Sequence, residues 1–473
     1  MLTAAGIDEI RTIVGPSGWL DGEEAEPYLV DFRGDFTGDA LGVARPSDTA
    51  QVAAIVRICA DAGFVVLAQG GNSSLSGGSV PKSKRPTVVL ALTRMNLIED
   101  VNPDRFTITA QAGVTVQALQ EAASGVDRLF APDWGARGTA TLGGAVATNA
   151  GGINVLRYGT MREQVMGLEV VLADGRIWNG LRALPKDNSG YDLKQLFIAS
   201  EGTLGIITRV TVKLHPKPAE HSTAFAMLPD VTRLNEFFSL ARSTTPGALS
   251  AFELIPELGV SRVVERYSVT RPLAAVSTWY VLLRFSGAEG TATALLDLLA
   301  SASESGLIGD AVLAETAAQE ANLWNLRDEL PPPRIFDGYM VKYDLAVPGD
   351  RISEFHSAVQ ECIESVVPGA MPYVFGHVGD GNLHLTVWPA DSEPGLLEER
   401  KADLVAAIDQ LVWQFEGTIS AEHGIGQELI GRIPGQKPNV ELDLMRQIKD
   451  LLDPGQILNP GTIFIESDSI DRR

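Results

Sequence analysis

The sequence predicts an α+β protein that is divided into two or three domains. Its 473 residues exceed what one hydrophobic core normally serves. Strand-like segments alternate with turns and helical segments along the chain. Glycine-rich loops are concentrated before about residue 218, and amphipathic helices separated by strands dominate after it. We therefore expect an α+β domain with unusual loops, followed by a second α+β domain.

The composition is typical of a globular protein with an acidic surface. Hydrophobic residues make up 45% of the chain and charged residues 21%. With 38 Lys and Arg against 60 Asp and Glu, the net charge is −22. This charge repels nucleic acid and anionic membranes, so neither is expected as a partner.

The number of cysteines and the lengths of the apolar runs indicate the cellular compartment of the protein. Two cysteines, Cys59 and Cys362, are too few for a disulfide framework and fit a reducing cytosol. The N-terminal stretch MLTAAGIDEIRTIVG has no long apolar run, so we expect no secretory signal. No apolar run reaches the length of a membrane span. We therefore predict a cytoplasmic protein without a membrane span.

A helix, a strand and a loop open the first domain. PSDTAQVAAIVRICADAG predicts a helix with Ser47 as its N-cap and Gly63 as its stop. Cys59 lies on the apolar stripe of this helix and is interpreted as a core residue. The buried strand FVVLA and the loop QGGNSSLSGG follow. Further on, LEVVLADGRIWNG predicts a hairpin with Asp174 and Gly175 at its turn.

The second domain is predicted from a different set of patterns. WYVLLRF and YMVKYDLAV read as strands, and GTATALLDLLASASES and RISEFHSAVQECIESV read as amphipathic helices. The C-terminal stretch LMRQIKDLLDPGQILNPGTIF ends in proline and glycine, which is typical of a segment that docks back onto another domain.

Two long glycine-rich segments lie in the first domain, the loop at 69–78 and the stretch 135–152. Glycine lets backbone N–H groups approach a phosphate closely, because no Cβ intervenes. The alternative interpretation is a set of tight turns in a β-rich fold. Two such segments favour a cofactor that carries a pyrophosphate. Neither matches the Rossmann fingerprint or the P-loop, so both of those sites are disfavoured.

The stretch HVGDGNLH holds two of the six histidines. If Asp380 and Gly381 form a two-residue type I′ turn, His377 pairs with His384 across the hairpin. Directly opposed residues share a face, with Cβ atoms roughly 5 Å apart. This spacing suits two imidazoles that bind one metal ion.

A third metal ligand is predicted from the stretch SAEHGIG, which contains Glu422 and His423. Two histidines and a carboxylate are a common catalytic ligand set that leaves positions open for substrate. The helical zinc-protease motif H-E-x-x-H is absent. The alternative interpretation is that His377 and His384 form a polar cross-strand pair without a metal.

The motifs together carry a resemblance to a known family. They are QGGNSSLSGGSVP, GTATLGGAVATNAGG, KDNSGYDLKQLFIASEGTLGIITRV, HVGDGNLH, AEHGIG and ILNPG. With them, nearly the whole chain resembles the FAD-dependent D-2-hydroxyacid dehydrogenases of the vanillyl-alcohol oxidase-type flavoprotein family. It is most similar to their D-2-hydroxyglutarate and D-lactate branch.

The resemblance implies a fold and a domain order. After an N-terminal segment, 1–36, residues 37–217 would form a two-subdomain FAD-binding domain of the vanillyl-alcohol oxidase type. Residues 218–415 would form an α+β substrate domain that caps the flavin. The C-terminal segment, 416–473, would return to the FAD domain.

The resemblance also implies the cofactor site. The first glycine loop would hold the pyrophosphate of FAD, and the second segment, with SEGTLGI, would line the rest. Neither glycine segment contains a histidine, so noncovalent FAD is expected. The expected contacts are Gln69, Gly70, Gly71, Asn72, Ser73, Gly77, Gly78, Pro132, Gly135, Gly138, Thr139, Gly143, Gly144, Thr148, Asn149, Gly151, Gly152, Glu201, Gly205, Ile206 and Asn459.

For the substrate, the resemblance implies that Arg327 and Lys342 bind a carboxylate. Two positions depart from the family pattern. Pro331 stands where some members have a threonine, and Thr386 stands where an asparagine is frequent. Both positions touch substrate in the family, so these changes leave the reaction type intact and the identity of the hydroxyacid open.

The reaction expected from these residues is oxidation of a D-2-hydroxyacid, with D-2-hydroxyglutarate as the first candidate. His377, His384 and Glu422 would hold a divalent metal, for which we expect zinc, and His423 would take the hydroxyl proton. Hydride would pass to flavin N5. An electron-transferring flavoprotein or a quinone would reoxidise the flavin. The oligomeric state stays open, with a homodimer as one option.

Three alternatives remain at the level of sequence. The substrate could be D-lactate or another D-2-hydroxyacid. The protein could be a metal-free flavin oxidase with a structural histidine hairpin. It could also be a glycolate oxidase-type subunit that binds the cofactor without turnover, although such a subunit would not need a base beside the metal.

Overall fold

The computed structural model describes residues 2–331, 335, 337–390, 392–393 and 395–466. The chain forms two compact units. The first comprises the residues up to Gly152, Gly159–Lys217 and the segment from Glu422 onward; the second comprises Ile153–Tyr158 and Pro218–Ala421. Both units contain helices and sheets, which confirms the predicted α+β class. In the described ranges, no helix combines the length and apolarity needed to cross a membrane.

The first unit contains two main sheets. Its strands, numbered in chain order, are β1 Trp19–Leu20, β2 Gly42–Ala44, β3 Val65–Gln69, β4 Thr87–Ala91, β5 Ile98–Asn102, β6 Thr107–Gln111, β7 Arg128–Leu129, β8 Val165–Val171, β9 Ile177–Gly180, β10 Ile206–Lys213 and β11 His215–Pro216. One sheet has the order β1-β2-β4-β3, with parallel pairs from β2 to β3. The other has the antiparallel order β5-β6-β10-β8-β9. The pairing of β8 with β9 confirms the hairpin at Asp174 and Gly175.

Helices cover these sheets. Those of the first unit are Leu2–Val14, Thr49–Ala62, Val116–Ser124, Leu142–Thr148, Met161–Gln164, Lys194–Phe197, Ile433–Gln436 and Asn439–Leu452, with short 3-10 turns at Gly22–Glu24, Glu26–Tyr28 and Leu92–Arg94. The predicted N-cap Ser47 is wrong by one residue. Asp48 is the cap, because its carboxylate accepts a hydrogen bond from the Gln51 N–H. Gly63 ends this helix in the left-handed conformation, as predicted.

Each sheet of the first unit has its own apolar core. Helix Thr49–Ala62 buries Val52, Ile55 and Cys59 against the parallel sheet, so the core position predicted for Cys59 is confirmed. A second cluster fills the space between the five-stranded sheet and helix Val116–Ser124. The C-terminal segment adds to the first core, where Leu458 forms a parallel bridge with Val66 of β3.

The second unit also contains two sheets. Its strands are β12 Glu220–Leu228, β13 Leu249–Pro256, β14 Trp279–Gly287, β15 Ala311–Leu313, β16 Val341–Ala346, β17 Met371–Phe375 and β18 Asn382–Trp388. They form antiparallel sheets with the orders β13-β14-β12-β15 and β16-β18-β17. Its helices are Val155–Tyr158, Leu234–Thr244, Glu257–Arg266, Thr291–Glu304, Ala317–Asp328, Ile352–Val366, Leu396–Glu399 and Lys401–Gln414, with 3-10 turns at Val231–Arg233 and Gly349–Arg351.

A short excursion of the chain belongs to the second unit although it lies within the predicted FAD-binding span. Residues 153–158 pack beside β13. The Asn154 Oδ1 atom accepts a hydrogen bond from Arg284 at 2.6 Å, and Arg157 donates to the Ser286 carbonyl. The second unit thus includes these six residues of the span 37–217, and it extends to Ala421.

Candidate active site

The first glycine loop follows β3, and amide side chains close it. The Gln69 Nε2 atom donates to the carbonyls of Tyr28 at 3.0 Å and Ser79 at 2.8 Å. Asn72, in the left-handed conformation at φ 50°, donates to the Val30 carbonyl at 2.7 Å. The buried Gln69 Oε1 atom has no hydrogen-bond partner among the described residues. These hydrogen bonds attach the loop to the segment at Tyr28 and Val30, and the Gln69 Oε1 atom is an unused buried acceptor.

The two glycine-rich segments lie against each other. A Cβ on Gly71 would lie 1.8 Å from the Thr139 carbonyl oxygen, and one on Gly70 would lie 2.2 Å from the Thr141 Oγ1 atom. Only glycine permits this approach. The Thr141 hydroxyl is buried and, within the described ranges, has no hydrogen-bond partner. The Thr141 hydroxyl is therefore an unused polar group at this junction of the two glycine-rich segments.

The second glycine-rich segment leaves space at two glycines. A Cβ on Gly135 would meet nothing within 4 Å, and one on Gly144 would meet only the Thr141 Oγ1 atom at 3.3 Å. Helix Leu142–Thr148 ends at Asn149 in the left-handed conformation. The Asn149 Oδ1 atom accepts from the Thr160 hydroxyl and the Arg162 N–H, both at 2.9 Å. The Asn149 amide therefore fixes the end of this segment.

The other predicted cofactor residues all belong to the first unit. Pro132 accepts from Gln120 at 2.7 Å, and Gly152 forms a bridge with Asp133. Buried Ile206 opens β10, directly after Gly205. The remaining positions lie within the two glycine segments, namely Ser73, Gly77, Gly78, Gly138, Gly143, Thr148 and Gly151.

Glu201 connects several segments of the first unit. Its carboxylate accepts from the N–H groups of Ile425 at 2.8 Å and Gly426 at 2.9 Å. Its carbonyl accepts from the Asn459 amide at 2.8 Å, and the same amide donates to the Gly78 carbonyl at 3.1 Å. Burial raises the pKa of Glu201, while the two backbone hydrogen bonds act in the opposite direction. Glu201 thus fastens the loop that follows Glu422 and His423.

Glu422 and His423 are adjacent and partly exposed. The Glu422 Oε1 atom lies 3.9 Å from the His423 Nε2 atom. The His423 carbonyl accepts from the Ser76 hydroxyl at 2.9 Å. The backbone of this pair is therefore anchored to the first glycine loop. This hydrogen bond does not involve the His423 imidazole, whose position depends on contacts of the side chain.

In the second unit, the histidine hairpin differs from the prediction. Strand β17 ends at Phe375 and β18 begins at Asn382, so a six-residue loop replaces the two-residue turn. His384 pairs with Phe375, not with His377. Gly376 causes this difference. It forms two backbone hydrogen bonds with Leu254 of β13, so the chain no longer pairs with β18 beyond Phe375. The imidazoles are still neighbours, with ring centroids 5.5 Å apart.

Glu253, Arg327 and His377 form a buried network. Glu253 accepts from the Arg327 Nε–H at 2.8 Å and lies 2.8 Å from the His377 Nδ1 atom. The Arg327 Nη2 atom lies 3.0 Å from the His377 Nε2 atom. Burial raises the pKa of Glu253, but its interactions with His377 and Arg327 outweigh burial and lower that pKa to about 2. The carboxylate is therefore ionised at neutral pH.

One face of the small sheet of the second unit carries several predicted residues. Thr386 pairs with Lys342 on β16, and two residues along β18 His384 pairs with Asp344. Residues two apart on a strand share a face. The His384 Nδ1 atom lies 3.6 Å from the Asp344 carboxylate, which also accepts from the Asn382 amide at 2.8 Å. This face combines a cation, an imidazole and a buried acid.

Sequence reasoning missed Glu253 and Asp344. Each is an acidic residue in an otherwise apolar strand, in SAFELIP and VKYDLA, and each is less than 10% exposed. A buried acid requires a partner, because desolvating an unpaired carboxylate is costly. An isolated Asp or Glu within an apolar strand was therefore the available signal.

Comparisons with known proteins match this architecture. Residues 40–180 match the FAD binding domain family, and residues 217–463 match the C-terminal domain family of FAD linked oxidases. A substrate-bound p-cresol methylhydroxylase structure superposes with a TM-score of 0.77 at 16% identity, covering 98% of this chain and 97% of that one. This likeness concerns the fold, and it confirms the vanillyl-alcohol oxidase-type architecture. The class of the protein is thus a flavin-dependent oxidoreductase.

Relatives identify the branch within this class. A D-2-hydroxyglutarate dehydrogenase from Bos taurus is 38% identical over 447 residues, which are 93% of this chain and 80% of the relative. Another, from Xanthomonas citri pv. viticola, is 34% identical over 455 residues, which are 94% of each chain. The chain therefore belongs to the FAD-dependent D-2-hydroxyacid dehydrogenase family, as the motifs predicted.

The predicted cytoplasmic location is contradicted by the relatives. Those from Bos taurus, Rattus norvegicus and Danio rerio are all named as mitochondrial proteins. The prediction failed because a low cysteine count reports a reducing environment and does not distinguish between compartments that share it.

Proposed function

We propose that this enzyme oxidises D-2-hydroxyglutarate, or a close D-2-hydroxyacid analogue, to the 2-oxoacid. The observation that carries the proposal is the second unit's concentration of Arg327, Lys342 and two imidazoles in one network and one sheet face. Cations bind the carboxylates of a hydroxyacid, and imidazoles suit metal or proton chemistry at its hydroxyl group. The relatives from Bos taurus and Xanthomonas are named for this substrate.

The first unit would hold FAD without a covalent bond. The unused Gln69 and Thr141 oxygen atoms and the open space at Gly135 and Gly144 fit a polar ligand. The residues proposed for this role are the two glycine segments and Asn459, as expected from the sequence. When bound, FAD supplies a hydride acceptor, for which we propose N5.

We propose His377, His384 and Glu422 as ligands of a divalent cation, with zinc as the candidate. Imidazole and carboxylate are ligands that zinc prefers, and Asp344 provides a nearby acid that orients His384. The Ala421 N–H donates to the Asp344 carbonyl at 3.2 Å, and Glu422 is the next residue along the chain. When bound, the cation supplies Lewis-acid activation of the hydroxyl group.

The remaining residues would bind the substrate and move its proton. Arg327 can grip a carboxylate with two N–H groups, and Lys342 adds a second positive charge for a dicarboxylate. His423 would accept the hydroxyl proton as general base. Thr386, beside Lys342, would contact the distal end of the substrate. Pro331 and Thr386 keep D-lactate as the second candidate, since a shorter acid needs fewer polar contacts.

The test of the proposed function is flavin reduction. Purified protein is mixed anaerobically with D- and L-2-hydroxyacids of three to five carbons, and the flavin absorbance near 450 nm is followed. We expect D-2-hydroxyglutarate to bleach the flavin at least about tenfold faster than its L-enantiomer. Bleaching by D-lactate alone would select the second candidate, and bleaching by no D-acid would refute the proposal.

Chelation tests the cation separately. After dialysis against a chelator, we expect turnover to fall at least about 100-fold while the flavin spectrum stays unchanged, because Lewis-acid activation is lost. Addition of zinc should restore turnover. Undiminished turnover would instead indicate a metal-free flavin enzyme. Electron acceptors, an electron-transferring flavoprotein or a quinone, can be compared in the same assay.

A further inference from the structure

Residues 153–158 form a short segment of the second unit that is hydrogen-bonded to β14. The Asn154 Oδ1 atom accepts from the Arg284 Nη2–H at 2.6 Å, which attaches the start of the segment. Arg157 donates to the Ser286 carbonyl, which attaches the end of the segment. The segment is therefore attached to the same strand at two positions.

Leu156 lies between these two attachment points and contacts the histidine loop, residues 376–381. A Cβ on Gly379 would lie 2.7 Å from the Leu156 Cδ2 atom and 3.3 Å from its Cδ1 atom. The three atoms nearest to such a Cβ all belong to Leu156. Leu156 is half-buried and also packs against the large apolar core of the second unit. Its side chain therefore fills the space that a side chain at position 379 would need.

Gly379 is required by this contact and not by its backbone conformation. Its φ lies outside the left-handed region, so the backbone itself would accept an alanine. Gly381 differs, because its φ is 88°. The two glycines of HVGDGNLH therefore have different roles, and the first one allows the close approach of Leu156.

The position of Gly379 affects His377, two residues earlier in the loop. Asp380, which follows Gly379, donates its N–H to the His377 carbonyl at 3.1 Å. The His377 ring in turn lies against the substrate-binding candidate Arg327, with 3.0 Å between the Nε2 and Nη2 atoms. A displacement of Gly379 would therefore move the ring that contacts the guanidinium.

We propose that Leu156 is a positioning residue for the substrate site. Through Gly379 it sets the position of the His377 ring, and this ring helps to hold the Arg327 guanidinium in place. This inference rests on the proposed function, in which Arg327 binds a substrate carboxylate. The role is steric, because it depends on van der Waals contact and not on the charge of any group.

The first test compares Leu156→Ala with Leu240→Ala. Leu240 is a matched control, because it is also half-buried and packs against the same core, but it lies in helix Leu234–Thr244. Both variants should lower the urea midpoint by a similar amount, since each deletes a leucine side chain from that core. Flavin content should stay at the wild-type value in both.

The two variants should differ in substrate binding. We expect Leu156→Ala to raise KM for D-2-hydroxyglutarate about tenfold, and Leu240→Ala to stay within about twofold of wild type, because only the first displaces a binding group. Calorimetric titration of the oxidised, flavin-loaded enzyme with 2-oxoglutarate, the expected product, should show the same difference in Kd. A folded Leu156→Ala protein with wild-type KM, or an equal rise in KM for Leu240→Ala, would overturn the role of Leu156.

A second test approaches the contact from the other side and does not require Leu156→Ala to fold. Gly379→Ala introduces a Cβ that meets the Leu156 methyl groups, so we expect KM to rise about tenfold or more. In the double variant Leu156→Ala, Gly379→Ala those methyl groups are absent, so KM should be lower than in Gly379→Ala alone.

The outcomes separate this role from the proposed function. Wild-type KM in Gly379→Ala, or KM changes that multiply in the double variant, would overturn the positioning role and leave the proposed function intact. Wild-type protein whose flavin is reduced by no D-2-hydroxyacid would overturn the proposed function, and the role of Leu156 with it.

Discussion

A buried lysine stabilises the C-terminal residues that lead to Asn459. Lys449 is 5% exposed and donates to the carbonyls of Thr203 at 2.7 Å and Leu458 at 2.8 Å, besides its ion pair with Asp453. Burial lowers the pKa of Lys449, and Asp453 opposes that effect. The ammonium therefore depends on these partners, and its removal leaves Asp453 as an unpaired buried acid.

Replacement of Lys449 by methionine tests this contribution. We expect the free energy of unfolding to fall by about 3–5 kcal/mol, the usual loss when one partner of a buried ion pair is removed. Lys437→Met is the matched control, since its i,i+4 pair with Glu441 is partly exposed and should contribute less than about 1 kcal/mol. Equal urea midpoints for the two variants would contradict the interpretation of Lys449.

The two cysteines should differ in reactivity. Burial raises the pKa of the Cys59 thiol to about 12, so at pH 8 its thiolate fraction is about a thousandfold below that of an ordinary thiol. Cys362 is only half-buried. We expect a thiol reagent to modify Cys362 first in native protein and Cys59 only on unfolding, as peptide mapping would show. Native labelling of Cys59 at the rate of Cys362 would be the opposite result.

At the scale of elements, periodicity predicted several helices and strands correctly but not the pairing in the histidine hairpin. The strands WYVLLRF and YMVKYDLAV and the helix after Gly290 lie where the pattern placed them. The first strand is buried on both faces, whereas the second strand and the helix each pack one apolar face into the core. The Asp380-Gly381 pair is a strong local signal for a tight turn. Pairing of Gly376 with Leu254 overrides it. The two residues of that contact are more than a hundred positions apart, so the local sequence does not predict it.

The longer loop depends on Gly381. This residue has φ 88°, and a Cβ would lie 2.3 Å from the Val347 carbonyl oxygen. We expect Gly381→Ala to destabilise the protein by roughly 2 kcal/mol or more, since left-handed strain and a backbone clash add. Gly431→Ala is the control, because a Cβ there meets nothing within 4 Å. Urea unfolding would measure both, and equal midpoints would show that the loop adapts.

At the scale of the whole molecule, the motifs predicted the class of the enzyme better than they predicted its supporting residues. Histidines and glycine loops stand out in sequence because they are rare or clustered. The role of Glu253 depends on its hydrogen bonds with Arg327 and His377, which are 74 and 124 residues away along the chain. Such a carboxylate can be recognised as anomalous in an apolar strand, but its partners follow only from the fold.

The two units should make separable contributions to catalysis. Gly144 lies in the first unit, where a larger side chain would enter the space proposed for the flavin. Lys342 lies in the second unit, on the sheet face proposed for the substrate. We expect Gly144→Val to lose most of its flavin. We expect Lys342→Met to keep its flavin while KM rises about tenfold or more, because a charge-assisted hydrogen bond is lost.

The absorbance ratio at 450 and 280 nm measures the flavin content, and steady-state kinetics measures KM. Gly431→Val, at an open position of the first unit, should retain flavin and activity. Loss of flavin from Lys342→Met would contradict this division, because Lys342 would then act on the flavin. Full flavin in Gly144→Val would also contradict it, because Gly144 would then not lie in the flavin site.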